Sequence, residues 1–249
     1  MRGQGVRSSR SYAVRRWGFF ALAMILGVVC VRLGFWQLDR LGQRREQNAA
    51  IEARLAEPSI RLPDDLAEVD DLAYRRARVR GTFDASGEIY LTNRSLDEIA
   101  GVHIVTPLVL EGREDVLLVD RGWISDPDYR TRSAESWSAE GIVEIAGVLM
   151  PSQREPGLSF FADPIPAPGE PPLSEWRALY IPGIRQQLSA PVLDAFLMQE
   201  SDSGDPELPI PAPELDLSEG PHLSYALQWF AFAGTAIVGG AYWIRRTRV

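Results

Sequence analysis

Gly220-Pro221-His222-Leu223-Ser224-Tyr225-Ala226-Leu227-Gln228-Trp229-Phe230 opens an apolar run that reaches Trp243-Ile244 and stops at Arg245-Arg246-Thr247-Arg248. Between Leu223 and Ile244 there is no formal charge. That length is about what a helix needs to cross a bilayer. On a helix His222, Tyr225 and Trp229 fall at i, i+3 and i+7, on one face near one end. Ala231, Thr235 and Gly239 follow at four-residue spacing, a stripe of small residues that can admit another helix closely. Two readings of the polar group stand at this point. One is an aromatic belt with an interfacial histidine. The other is a metal or haem site at the outer mouth of a membrane helix.

A second apolar run lies near the start, Trp17 to Leu38, preceded by residues 1–16, which are basic and free of acids. It is longer than the core of a secretory signal and keeps bulky residues to its end, so it predicts an uncleaved anchor. Arg2, Arg7, Arg10, Arg15 and Arg16 hold its start in the cytoplasm by the positive-inside rule, and Arg245, Arg246 and Arg248 hold the C-terminus on the same side. The organisation expected is a cytoplasmic tail over 1–16 and a first span over 17–38. An extracytoplasmic body follows over 39–220, then a second span over 221–244 and a short tail over 245–249. The localisation expected is the plasma (inner) membrane. Arg32 interrupts the first span. Either it snorkels to the headgroups, or it faces a partner or ligand at a depth between His222 and Trp229.

Charge agrees with this division. The chain has 249 residues, net charge −8 and no lysine. Residues 1–38 carry six arginines and no acid, and 245–249 carry three arginines. The segment between them holds 17 arginines against 34 acids. An acidic body between basic ends is the opposite of a nucleic-acid binder. Cys30, the only cysteine, sits in the first apolar run. It rules out an internal disulfide framework and reads as a small hydrophobe.

Within the body, Asp39 to Glu57 predicts a polar helical stem ended by Pro58. From Arg76 the period becomes two. Strands are expected near 76–83, 87–92, 102–110, 116–120 and 142–150, with shorter ones at 176–181 and 195–199. Pro107 inside the third implies an edge or a bulge. Gly122, directly after a buried strand in Arg121-Gly122-Trp123, reads as a structural corner needing positive φ or close backbone contact. Gln153–Ser174 and Ser201–Pro221 read as long Pro-rich loops, the second a tether to the membrane. The fold class expected is a two-span membrane protein whose spans flank a mainly antiparallel β domain, a small barrel or sandwich with minor helices.

No HExxH, CxxC, glycine-rich phosphate loop or GxSxG occurs. His103, mid-strand in Gly101-Val102-His103-Ile104, is expected to be a hydrogen-bonded structural imidazole, and the protein is not expected to be an enzyme. Together several segments resemble the surfeit locus protein family, the Surf/Shy-type assembly factors of cytochrome c oxidase. They are Leu33-Gly34-Phe35-Trp36-Gln37-Leu38-Asp39-Arg40, Tyr74-Arg75 with Gly81-Thr82-Phe83, and Gly101-Val102-His103 with Thr106-Pro107-Leu108. Asp120-Arg121-Gly122-Trp123 and His222 to Phe230 complete the set. The family often has Trp-Lys after the first-span arginine, where this chain has Gly42-Gln43-Arg44-Arg45. The resemblance implies a chaperone of the respiratory chain. Its partners would be the membrane, the oxidase catalytic subunit and the haem a synthesis machinery. It further implies haem a as a transiently bound cofactor and His222 as the iron's axial ligand; Tyr225 and Trp229, on the same helix face as His222, are then expected in the cofactor site, Trp229 against the macrocycle or its tail. A neutral imidazole suits haem iron, and Arg32 or Arg40 could pair with the propionates. The competing expectation is a membrane-anchored scaffold that binds the nascent oxidase and never holds haem.

Overall fold

A computed structural model describes residues 5–67, 71–131, 141–153, 163–167, 170–200, 209–211 and 215–246, with side chains from residue 14 onward. Arg2, Gly169, Arg248 and most of 201–214 lie outside the described residues. The chain divides into two compact units, 1–50 with 216–249 and 51–215.

In the first unit, α1 (Gly5–Leu55) is one unbroken helix. The first apolar run and the polar stem are therefore a single element. No Gly-Pro punctuation separates Leu38 from Asp39, and helix-forming residues fill the junction. Among the described residues one helix, Val14–Leu55, is long and apolar enough to cross a membrane. The second helix, α4 (His222–Arg246), runs antiparallel against it. Their contact follows a seven-residue period. On α1 Gly27, Gly34, Leu41 and Asn48 are buried, with Cys30 buried and Gln37 half-buried between them. On α4 Ala226, Ala233 and Gly240 are buried at the same spacing. Two apolar positions in seven is the pattern of a left-handed helix seam. Here small residues let the backbones close. A Cβ on Gly34 would lie 2.6 Å from the Phe230 ring, and one on Gly27 2.9 Å from Ile237 Cγ1.

The second unit is β-rich. Its strands are β1 (Ile60–Leu62), β2 (Arg76–Phe83), β3 (Ile89–Leu96), β4 (Ile99–Leu110), β5 (Val116–Ser125), β6 (Ile142–Pro151), β7 (Glu175–Trp176) and β8 (Val192–Gln199). Two short helices, α2 (Asp126–Thr131) and α3 (Ile181–Ile184), join them. The sheet order is β1-β2-β6-β8-β5-β4-β3-β7, and an additional β2–β4 pairing closes β2, β6, β8, β5 and β4 into a barrel. Most pairings are antiparallel, as expected. β1–β2, β3–β7 and β5–β8 are parallel.

Alternation explains β2: Ala77, Val79 and Gly81 point inward, while Arg76 and Arg80 reach Glu200 and Glu111 outside. The lumen is filled from all five barrel strands by Val79, Leu108, Leu110, Leu117, Val119, Leu149 and Leu197. Leu118, on the opposite face of β5, belongs to a second layer with Leu91, Val105, Trp176, Leu179 and Ile184. This outer layer accounts for the shortness of β7. The expected strand over 176–181 ends after Trp176 because the chain turns its apolar side chains onto the barrel wall and starts α3 at Ile181, with Pro182 in the first turn.

Pro107 falls where β4 changes neighbour. β4 pairs β3 up to Val105 and β2 from Leu108. The missing N–H lies in that gap, and the Pro107 carbonyl accepts from Asp84 N at 2.8 Å. β5 is bulged: Val105 faces Asp120 and Ile104 faces Gly122, leaving Arg121 extra. Gly122 has φ +124°, and a Cβ there would collide with the Ile210 carbonyl. Ile210 bridges Trp123 on the free side of β5, with N···O distances of 2.7 and 2.8 Å. Both reasons anticipated for a glycine therefore operate at this corner, and part of the expected tether is paired backbone.

Candidate functional site

α4 begins at His222, preceded by Pro221 and by Gly220 at φ +68°. The chain entering it is held on α1. Arg44 donates to the Asp216 and Ser218 carbonyls at 3.2 Å, Asn48 donates to the Leu217 carbonyl, and Arg45 forms an ion pair with Glu219 at 2.7 Å. The Arg45 guanidinium holds the Glu219 carboxyl below the usual carboxylate range, and the Ser218 N–H does the same for Asp216. The segment departing from the family pattern, Gly42 to Arg45, thus supplies two of the three side chains that fasten this entry.

Two turns back from Arg44 along α1, Gln37 Oε1 lies 2.9 Å from His222 Nδ1. A carboxamide oxygen can only accept, so Nδ1 carries the proton and donates. In the neutral ring this leaves the Nε2 lone pair as the remaining donor toward a ligand. A Cβ on Gly220 would lie in ordinary contact with the ring, 3.9 Å from Nε2, and the backbone at φ +68° is what favours glycine here. The donor set therefore suits one axial imidazole.

The structure distributes the other expected residues around this pair. Trp229 is half-buried, edge-to-face with Phe232 at 5.9 Å. Tyr225 is 47 % exposed. Arg40 lies three residues beyond Gln37, its guanidinium 5.7 Å over the Trp36 ring and bonded to Gln43 at 2.8 Å. Arg32 is exposed; two residues from both Cys30 and Gly34, it lies across α1 from the seam. Depth along a span places a residue on the helix axis but not around it. The structure thus brings His222 to Gln37, and does not bring Arg32 to His222.

Gln37 is the residue that reading by chemical type passes over. It was legible as part of the Leu33–Arg40 segment, but not as a partner of His222, 185 residues away. The signal that finds it is the seven-residue spacing of Gly27, Gly34 and Leu41, which puts Gln37 in the seam.

In the β unit His103 Nδ1 sits 3.0 Å from both Asp120 oxygens, and Asp120 Oδ1 also accepts from Gly122 N at 3.1 Å. The imidazole thus fastens the bulge, consistent with the structural role expected of it. On the other face Tyr90 and Thr106 donate to Glu88 at 2.7 and 2.8 Å, Tyr129 donates to Glu175 at 2.9 Å, and the two tyrosine rings lie 4.7 Å apart. Burial, then the carboxylate partner, pushes the Tyr129 phenol up to about 12 and raises Tyr90 further. Burial lowers Arg121, whose guanidinium stacks 4.6 Å over Phe83.

Comparison with known proteins bears on this arrangement as a whole. The sequence model of the SURF1 family matches residues 24–234, which takes in both Gln37 and His222. A SURF1-like protein of Rickettsia felis is 30 % identical over 224 residues, covering 87 % of this chain and 92 % of the relative. One from Rickettsia bellii is 28 % identical over 221 residues, 86 % of each. Surfeit locus protein 1 of Mus musculus is 23 % identical over 241 residues, 91 % of this chain and 76 % of the mouse protein.

Proposed function

The chain belongs to the SURF1 family, and from that premise we propose that it assists assembly of a haem-copper cytochrome c oxidase by holding haem a on His222 for delivery to the catalytic subunit. The observation that carries this reading is an imidazole at the first residue of an apolar helix, its Nδ1 occupied by Gln37, which leaves Nε2 for a ligand. When bound, haem supplies an iron centre that takes neutral imidazole as an axial ligand. The rest falls to this chain. Trp229, two turns along α4, offers an aromatic face to the macrocycle or its tail. Arg40, one turn from Gln37, offers an exposed guanidinium for a propionate. A single axial histidine suits cargo that must be released. α4 acts as the second span, and the β unit works on the extracytoplasmic side.

The test is the pigment of the purified full-length protein after co-expression with haem a synthesis. His222→Ala should abolish the Soret band while leaving the membrane level of the protein intact. Trp229→Ala should lower occupancy and keep the band's shape. Retention of full haem with an unaltered spectrum in His222→Ala would overturn the carrier reading and leave that of a haem-free scaffold.

A further inference from the structure

We infer that Gln37 is a positioning residue for His222: its carboxamide oxygen selects the ring tautomer and orients Nε2 outward for an axial metal. The inference rests on the carrier reading for its ligand but on geometry for its mechanism. Three observations support it.

First, the contact is a specific pairing of roles. Gln37 Oε1 accepts and Nδ1 donates across 2.9 Å. The other neutral tautomer would need the carboxamide to turn over and present its NH2 to Nδ1 in place of this contact. Second, a polar side chain in a helix interface is costly unless partnered. Gln37 is half-buried in the seam, with Phe35, Trp36 and Leu38 on either side, and its partner is this imidazole. Third, the backbone that carries the ring is fixed independently. Arg44, Arg45 and Asn48 hold residues 216–219 to the same helix, so the ring's position and rotation are set from one rigid element.

Such a partner raises the basicity of the liganding nitrogen and fixes its ring plane. Loss of such partners typically lowers metal affinity by about 10–100-fold. Asn at position 37 is one methylene too short to keep the contact, whereas Glu keeps the acceptor and adds charge.

The experiment uses full-length protein in detergent, labelled with 15N-histidine. There are two histidines, and His103→Gln identifies their signals. In the haem-free parent at a pH where the ring is neutral, His222 should show a protonated Nδ1 and an unprotonated Nε2. Gln37→Leu should yield a tautomer mixture and a loss of haem affinity of about 10–100-fold. Gln37→Glu should keep the parent tautomer and lower the reduction potential of the bound haem below the parent's. The inference is overturned if Gln37→Leu keeps both the tautomer and the haem affinity. If Gln37→Leu does not accumulate, Gln37→Glu decides alone, and a parental potential overturns the inference. The carrier reading has its own arm. Haem retained by His222→Ala removes that reading, while the tautomer of the haem-free protein still judges the Gln37 contact.

Discussion

Gly122 shows how a single position can be closed to side chains twice over. Its φ of +124° is strained for any residue with a Cβ, and the Ile210 carbonyl occupies the space that the Cβ would take. Gly122→Ala should therefore cost about 2–4 kcal/mol, read as a lowered melting temperature of the detergent-solubilised protein. Gly112 is the control: its φ is +71°, and nothing lies within 4 Å of the place a Cβ would take. Gly112→Asn should change melting little, because Asn tolerates the left-handed region. Tyr129 offers a second residue-scale test. A phenol whose folded value is raised to about 12 stabilises the fold fully below its unfolded value of about 10. That contribution disappears as pH rises through the folded value. Thermal stability should thus fall between pH 10 and 12, and Tyr129→Phe should flatten the decline in part, since Tyr90 remains. An equally steep decline in the variant would remove Tyr129 from the explanation.

At the scale of elements, the seam between α1 and α4 makes its own prediction. Gly34→Leu drives a side chain into the Phe230 ring and should loosen the helix pair. Cys30, buried in that seam at 3 % exposure, is a built-in reporter. A membrane-permeant maleimide should label it slowly in the parent and several times faster in Gly34→Leu. Adding Phe230→Ala should slow the labelling again by making room for the leucine. Equal rates in all three proteins would mean that this packing does not govern the seam. The elements also show what could be read in advance. The strand over 76–83 declared itself by period two, because it has one face inside; that over 102–110 was legible as an apolar run, being covered on both faces. The parallel β5–β8 pairing was not legible, because nothing local in Val192–Gln199 specifies which strand it will meet. His222 was legible because a histidine in an apolar run is chemically conspicuous. Its partnership with Gln37 was hidden, because it depends on azimuth around two helices far apart in sequence.

For the whole molecule, the distribution of charge argues for both termini in the cytoplasm and the acidic body outside. A reporter active only outside the cytoplasm should be active when fused after Gly169 and silent when fused after Val249. The reverse pattern would refute the proposed topology. The closed sheet has a separate consequence, in time rather than space. β8 is the strand that sits between β6 and β5, and it is the last of the barrel to be made. Until residues 192–199 leave the ribosome, β5 and β6 each present an unpaired edge, the kind of surface that recruits other chains. The barrel cannot finish during synthesis of its first four strands, however well those strands pair. A message cut short between codons 152 and 191 should therefore give an aggregating product rather than a smaller working domain.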